Sequence, residues 1–578
     1  MYHYKVYEEW LSSKFIDNNT KGELISIKNN QTEIIDRFYK DLEFGTGGLR
    51  GLMGAGTNRM NLYTVGKATE GLAQYLNSTY KESSVAIAYD SRNMSKEFSE
   101  KTALTLCANG IKCYLFEYLR PTPMLSYALR QLHCNAGIVI TASHNPKEYN
   151  GYKVYGEDGG QITDTKAKDI YKYINNVKVF EGVKTIKKEL AIEKNLFNII
   201  GEDIDSSYID KVKRLSIRKD MIKENAKNLK IIYTPIHGSG NIPMRNMLKQ
   251  LGYTDVHVVK KQEEPNGDFP TVEYPNPEDP KSFELAINLA YEIKPDIIFG
   301  TDPDCDRIGV VVFDKEEYKS LSGNEIGILL SNYIMQSLKE SSLMPRNPII
   351  LKTIVTTDLV KKIAKDYNVE VMDVLTGFKY IGEKITEYEN NKQKDFIFAF
   401  EESYGYLAGD FVRDKDAIIT AMLISEMTLY YKEKGKTLYD ALLEIYNRYG
   451  YYKEKLISIK LQGKEGQDKI ERCIDYLRHS MKPTINNVNI IKKLDYKTGV
   501  EKDLIKIEEK IIGLPKSNVL KFILKDESWF VVRPSGTEPK IKIYISAWSY
   551  DSIDAEEKIV KLEHSIMDIV NNAMDIEH

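Results

Sequence analysis

The stretch Ile297-Ile298-Phe299-Gly300-Thr301-Asp302-Pro303-Asp304-Cys305-Asp306-Arg307 joins a short apolar run to a polar, acidic loop. A run of this length with no polar alternation reads as a strand buried on both faces. Two other stretches repeat the pattern: Ala136–Thr141 runs into Ser143-His144-Asn145-Pro146, and Phe396–Phe400 runs into Glu401-Glu402-Ser403-Tyr404-Gly405. Helical-looking sequence lies between them. Short strands alternating with amphipathic helices predict α/β units, whose ligand sites lie beyond the strand C-termini. Three such loops in separate stretches predict three α/β domains around a central cleft.

The last ~120 residues read differently and suit one smaller α+β domain. Phe530–Val532 and Ile541–Ile545 read as strands flanking RPSGTEPK, and Asp554–Met574 as a closing amphipathic helix. The expected domains are 1–205, with an N-terminal extension and the Ser143 loop; 206–320, with the acidic loop; 321–454, with the Glu401 loop; and 455–578. Lysine- and asparagine-bearing stretches near 179–226 and 480–515 are expected at boundaries.

The whole chain is consistent with this division. At 578 residues it is too long for one core and suits about three to five domains. With 42% apolar and 29% charged residues it can bury large cores. Its 81 Lys+Arg against 84 Asp+Glu leave a net charge of -3, with no electrostatic footprint for nucleic acid. Cysteines 107, 113, 134, 305 and 473 form no CxxC pair, which argues against a disulfide framework or thiolate zinc site. MYHYKVYEEW lacks the apolar run of a signal peptide, and runs such as Ile418–Ile424 are too short to span a bilayer. The expectation is a soluble cytoplasmic protein with no membrane or obligatory protein partner.

Asp302, Asp304 and Asp306 place three carboxylates at alternate positions of one tight loop. Their mutual repulsion is relieved by a hard cation, for which oxygen ligands favour magnesium, calcium or manganese over zinc. A solvated acidic turn is the plain alternative. A calcium EF-hand fails, because its sixth position would be Arg307 and its twelfth Phe313. Arg307, beside three acids, suits a phosphate.

Ser143, directly after a strand, is expected to be exposed where backbone N–H groups can meet a phosphate, although a lone serine also reads as a helix or turn cap. Glu401 and Ser403 can hydrogen-bond sugar hydroxyls. Thr376-Gly377-Phe378-Lys379 and Arg413-Asp414-Lys415-Asp416 add cations. Arg533-Pro534-Ser535-Gly536-Thr537 combines a guanidinium, hydroxyls and a glycine in a phosphate-cradle composition, or a surface turn. Gly45-Thr46-Gly47-Gly48-Leu49-Arg50-Gly51 misses the GxGxxG pattern at Arg50.

In this order the motifs resemble those of the α-D-phosphohexomutase superfamily: TASHNP its phosphoserine loop, DPDCDR its metal loop, EESYG its sugar loop and RPSGTEPK its phosphate loop. FGTGGLRG, TPIHGSG (Thr234–Gly240), TGFKYIG and EESYGYL are most similar to the phosphoglucomutase-2/phosphopentomutase branch. The resemblance runs from Gly45 to Lys540. It implies an enzyme, a magnesium-dependent mutase that interconverts sugar 1-phosphate and 6-phosphate through a phosphoserine, with a sugar 1,6-bisphosphate as activator.

The resemblance also implies roles. Ser143 carries the phosphoryl group, and its oxygen joins Asp302, Asp304 and Asp306 around magnesium. Arg50, His144 and Arg307 lie by that phosphate, and Lys153 is the general acid/base. Thr376, Gly377, Lys379, Glu401, Ser403 and Lys415 face the sugar, while Arg533, Ser535, Gly536 and Thr537 grip the non-reacting phosphate. Ala417 departs from the family, which often has glycine after Lys-Asp.

Glucose phosphate is the favoured substrate, with ribose, deoxyribose or mannose phosphates as alternatives. A metal phosphatase with an aspartate nucleophile would not need the separate serine loop. A non-catalytic sugar-phosphate sensor would be expected to have lost Ser143 or an aspartate.

Overall fold

The computed structural model describes residues 2–45, 47–536 and 539–575. The chain divides into two compact units, Met1–Ile350 with Phe378–Thr437, and Leu351–Gly377 with Leu438–His578.

The first unit opens with helices Tyr2–Ser12, Asn18–Ser26 and Gln31–Phe38, packed around Tyr7, Trp10, Leu24, Ile34 and Phe38. A six-stranded sheet follows, in the order Gly48–Leu52, Tyr149–Gly156, Ala136–Ile140, Ser84–Tyr89, Lys112–Phe116, Phe197–Ile200. Its last four strands run parallel, and Tyr149–Gly156 is antiparallel to both of its neighbours. The central strands are buried along their length, as their unbroken apolar runs require.

A second, five-stranded sheet is ordered Tyr318–Leu321, Ile308–Phe313, Ile297–Thr301, Lys230–Thr234, Asp255–Val258. Here Lys230–Thr234 runs parallel to both Asp255–Val258 and Ile297–Thr301, and Ile308–Phe313 folds back antiparallel after the acidic loop. The third stretch contributes Asp395–Glu401 and Gly405–Leu407, a hairpin around the Glu402-Ser403-Tyr404 turn.

Helix Ala417–Glu433 carries the Ile418–Ile424 run and is buried over nearly its whole length. Asp416 caps it, accepting from the amides of Ile418 and Ile419 at 2.9 Å each. Ala417 is the first helical residue and needs no positive φ, so its methyl group is accommodated where glycine was expected. Among the described residues no helix is long and apolar enough to cross a membrane.

In the second unit, antiparallel strands are ordered Tyr451–Lys460, Lys540–Ser549, Trp529–Pro534, Leu520–Leu524, Val488–Asp495, Val500–Asp503, Glu508–Ile511. Helices Gly463–His479 and Ser552–Asp575 bury Ile470, Cys473, Leu477, Leu562 and Ile566 against Phe522, Phe530 and Ile543 of that sheet. The fold is therefore three α/β domains and a C-terminal α+β domain. One expectation is corrected. Residues 480–515 mark no boundary; they supply three strands of this sheet, and their lysines and glutamates pair across strands, as Lys492 does with Glu501 at 2.7 Å.

Candidate active site

The loops after three strands of the first unit meet. Ser143 lies just past Ala136–Ile140 with φ 52°, a left-handed backbone that a serine rarely adopts. It is 3% exposed, not open at a sheet edge, because the acidic loop covers it. Its Oγ donates to Asp302 Oδ2 at 2.8 Å and lies 3.3 Å from His144 Nδ1. Burial, then the Arg307 and Arg50 charges, push His144 well below the usual imidazole range, so the ring is neutral at neutral pH.

The acidic loop turns at Cys305 (φ 53°), which brings oxygens of Asp302, Asp304 and Asp306 within 4.8 Å of one another. All three are buried. Asp302 Oδ1 accepts the amides of Asp306 (3.1 Å) and Arg307 (3.0 Å), and Asp304 Oδ2 accepts Thr122 Oγ1 (2.8 Å). Asp304 Oδ1 and Asp306 Oδ1 are buried without a hydrogen-bond partner. A buried anionic oxygen without a partner is costly, and a hard cation relieves that cost, so the donor set fits magnesium. Burial, with Asp304 and Asp306 adjacent, pushes Asp302 well above the usual carboxylate range. Asp304 is shifted the other way: burial opposes ionisation, but Lys153 outweighs it. The Cys305 thiol is pushed well up by burial and the surrounding acids, so it packs and does not attack.

The loop is backed by Thr234–Gly240. Ser239 donates to Pro303 O from both its amide and its hydroxyl at 2.8 Å. Gly238 admits Pro303 so closely that a Cβ would lie 2.7 Å from its Cα.

Cations surround the acids. Lys153 Nζ is 2.8 Å from Asp304 Oδ2 and 3.6 Å from Asp306 Oδ2. Although burial works against the ammonium, Asp304 and Asp306 hold Lys153 above the usual lysine range, the reverse of what a base requires. Lys415 Nζ reaches Asp306 Oδ2 (3.2 Å) and Asp414 Oδ1 (3.0 Å), and Tyr155 donates to Asp414 Oδ2 (2.8 Å). The Lys415 stem crosses Gly405, where a Cβ would stand 2.1 Å from its Cδ.

Arg307 pairs with Glu278, and its backbone bridges to Gly405. The amide of Ile308 donates to Tyr404 O at 3.2 Å, so the acidic and Glu401 loops are joined. Glu401 is buried and Ser403 half-buried beside it. Arg50 Nη1 donates to Asn145 Oδ1 at 3.3 Å. Its strand lies against Tyr149–Gly156 because Gly48 (φ 151°) has no Cβ, which would fall 1.9 Å from Tyr152 O. Lys379 is turned to Asp164 Oδ1 at 2.5 Å.

The second unit contains the remaining sequence-predicted residues. Thr376 and Gly377 (φ 117°) end its first segment. Arg533, in strand Trp529–Pro534, and Ser535, just past it, are half-buried, and the amide of Ser535 donates to Lys540 O at 2.7 Å. Gly536 is exposed, and a Cβ there would meet nothing within 4 Å. Thr537 lies outside the described residues.

Sequence reasoning missed Thr122, Glu278, Asp414 and the Asp90–Arg92 pair under the Ser143 loop. The last had a signal, since Asp90-Ser91-Arg92 directly follows another buried strand, Ser84–Tyr89.

Models of phosphoglucomutase/phosphomannomutase alpha/beta/alpha domains I, II and III match residues 41–179, 206–315 and 322–449, and the C-terminal domain model matches 490–561. A phosphoglucomutase from Staphylococcus haemolyticus is 40% identical over 511 residues, covering 88% of this chain and 91% of that protein. One from Staphylococcus epidermidis is 38% identical over 542 residues, covering 93% and 96%. The crystal structure of a phosphoglucomutase/phosphomannomutase family protein from Burkholderia thailandensis superposes with a TM-score of 0.65 at 18% identity, covering 93% of this chain and 98% of that one; it speaks to fold alone.

Proposed function

Because the chain belongs to the phosphoglucomutase/phosphomannomutase family, we propose that Ser143 is the phosphoryl carrier of a phosphosugar mutase acting on glucose phosphate. The enzyme is an intramolecular phosphotransferase of phosphoglucomutase type. The observation that carries the assignment is the 2.8 Å approach of Ser143 Oγ to Asp302 inside the triad of buried carboxylates. Division into 1–205, 206–320, 321–454 and 455–578 belongs to the same reading, and each family match falls within one of these ranges.

In the first half-reaction the 6-hydroxyl of glucose 1-phosphate attacks the phosphorus on Ser143, the Oγ–P bond breaks, and the hydroxyl proton is relayed through Lys153 to the departing Ser143 Oγ. The product is glucose 1,6-bisphosphate. It turns over in the site, and Ser143 Oγ attacks the 1-phosphoryl group; the P–O1 bond breaks, the serine proton is relayed through Lys153 to the departing O1, and glucose 6-phosphate leaves. Phosphoryl transfer of this kind depends on positioning and charge neutralisation. Asp302, Asp304, Asp306 and the Ser143 oxygen would hold a magnesium ion, which would supply charge withdrawal from the phosphoryl group and neutralise the carboxylates that otherwise keep Lys153 protonated.

Arg50, Arg307 and Lys415 offset the remaining charge, and neutral His144 beside Oγ can hydrogen-bond the phosphoryl oxygens. Glu401 and Ser403 bind ring hydroxyls, Thr376, Gly377 and Lys379 line the sugar, and Arg533, Ser535, Gly536 and Thr537 grip the phosphate that is not reacting. Because the two ends of the bisphosphate exchange places, that grip must accept either one. Glucose 1,6-bisphosphate serves as activator by recharging Ser143.

The test is a side-by-side assay of glucose 1-phosphate and ribose 1-phosphate, with and without glucose 1,6-bisphosphate, scoring isomer against inorganic phosphate. Isomer formed from glucose 1-phosphate and stimulated by the bisphosphate is expected. Release of inorganic phosphate as the main product would overturn the assignment.

A further inference from the structure

The loop after Ser84–Tyr89 takes no part in the mechanism above, yet it holds the Ser143 segment from two sides. The side chains of Arg92 and Asp90 are wholly buried, with Nε 3.4 Å from Asp90 Oδ2. Arg92 Nη1 donates to Pro146 O (2.8 Å) and Tyr149 O (3.0 Å); Nη2 donates to Ser143 O (2.5 Å) and Asn145 O. One guanidinium thus gathers four carbonyl oxygens of residues 143–149.

Asp90 holds the other side. Its Oδ1 accepts the Arg92 amide (3.0 Å) and Ser95 Oγ (2.8 Å), and its Oδ2 accepts Thr141 Oγ1 (2.6 Å). That Thr141 oxygen in turn accepts the Ser143 amide at 2.7 Å. The Phe269 ring, 5.1 Å from the Arg92 guanidinium carbon, helps to enclose the pair.

A left-handed serine is unfavourable unless its surroundings over-determine it, and this network does so at both the amide and the carbonyl of Ser143. A phosphoryl carrier must present the same oxygen, in the same place, with the phosphoryl group on and off. The rigid, planar fork of arginine spans several acceptors at once, which a lysine ammonium cannot reproduce.

We infer that Arg92, seated on Asp90, is a positioning residue for phosphoryl transfer, fixing the loop so that Ser143 Oγ faces the three aspartates. The inference rests on Ser143 being the phosphoryl carrier.

The experiment compares wild type, Arg92→Lys and Thr141→Val with glucose 1-phosphate, measuring kcat, KM, the magnesium activation constant and melting temperature. Intact mass after incubation with glucose 1,6-bisphosphate reports phosphorylation. A misplaced reacting oxygen costs on the order of 100-fold, so folded Arg92→Lys is expected to lose at least ~30-fold in kcat, with KM and the magnesium constant within about threefold. A purely architectural arginine would lower melting temperature without separating kcat from KM. Should Arg92→Lys fail to fold, Thr141→Val, which cuts the link from Asp90 through Thr141 to the Ser143 amide and leaves Arg92 in place, is expected to lose about tenfold in kcat at unchanged KM. Overturning results are kcat within about twofold of wild type in folded Arg92→Lys, or in Thr141→Val where that one does not fold, or a loss lying wholly in KM. Wild type that never gains a phosphoryl group on Ser143 would instead overturn the carrier assignment itself.

Discussion

Half-buried Lys153 and wholly buried Asp304 form an ion pair, Nζ to Oδ2 at 2.8 Å, at the centre of the acidic loop. Asp304→Asn removes one anionic oxygen of the proposed magnesium site and the main partner of that ammonium. The variant is expected to need at least ~10-fold more magnesium for half-maximal rate, a shift of about 1.4 kcal/mol, with part of the activity returning at saturating metal. A magnesium titration checks this; a rate indifferent to both the substitution and a chelator would remove the metal from the account.

Arg533→Ala is expected to raise KM for glucose 1-phosphate about tenfold or more, and to lower kcat less, because in the proposed function the guanidinium grips the non-reacting phosphate and so orients the sugar. Phosphorylation of Ser143 by glucose 1,6-bisphosphate should persist at a reduced rate. Steady-state kinetics decide it, and an unchanged KM would rule out the grip.

Glu401 and Ser403 together suit adjacent ring hydroxyls, which glucose offers and deoxyribose lacks in part. Leaving site polar groups unpaired costs about 1–3 kcal/mol each. Glu401→Gln is therefore expected to reduce kcat/KM for glucose 1-phosphate more than for deoxyribose 1-phosphate. Wild-type kcat/KM higher for either pentose phosphate than for glucose 1-phosphate would reverse the stated preference and leave the mutase chemistry standing.

Asp416 gives a pH dependence. Burial raises its carboxyl from 3.8 to about 6, against the hydrogen bonds from the Ile419 amide, Tyr208 and the Ile418 amide. Between those values the folded chain binds the proton more than the unfolded chain does, so this group's contribution to stability falls as pH rises from about 4 to 6, by ~3 kcal/mol at most. Relative to wild type, Asp416→Asn should gain stability across that window and show no further pH-dependent difference above it. Denaturant titrations of both proteins at pH 4, 5, 6 and 7 measure it; parallel curves throughout would contradict the assignment.

The strand–loop grammar was legible because the runs 136–141 and 297–300 are buried throughout, 396–400 is buried from Phe398 on, and each ends in a polar turn. The acidic triad was legible because alternate carboxylates in one turn have few alternatives to a cation. Burial of Ser143 was not legible: it comes from the Asp302 loop, more than a hundred residues away in the chain, closing over it. The raised Lys153 was hidden for the same reason, since its partners Asp304 and Asp306 are brought to it only by tertiary structure. The strands within 480–515 were masked by charge, because cross-strand Lys–Glu pairs on an exposed sheet face look like solvated linker when read along the chain. Arg92 escaped notice because its work is done on backbone carbonyls, which leave no mark in side-chain pattern.

The most direct measurement of the central claim is intact-mass analysis of the protein with a single-turnover chase. Wild type treated with glucose 1,6-bisphosphate and freed of ligand is expected to carry one phosphoryl group, located on Ser143 by peptide mapping, and to hand it to added glucose 1-phosphate or glucose 6-phosphate in the presence of magnesium. Ser143→Ala, folded as judged by melting temperature, should carry none and turn over no substrate. Isomerisation at the wild-type rate by the alanine variant, or a phosphoryl group on Ser143 that is never passed to the sugar phosphate, would contradict the account.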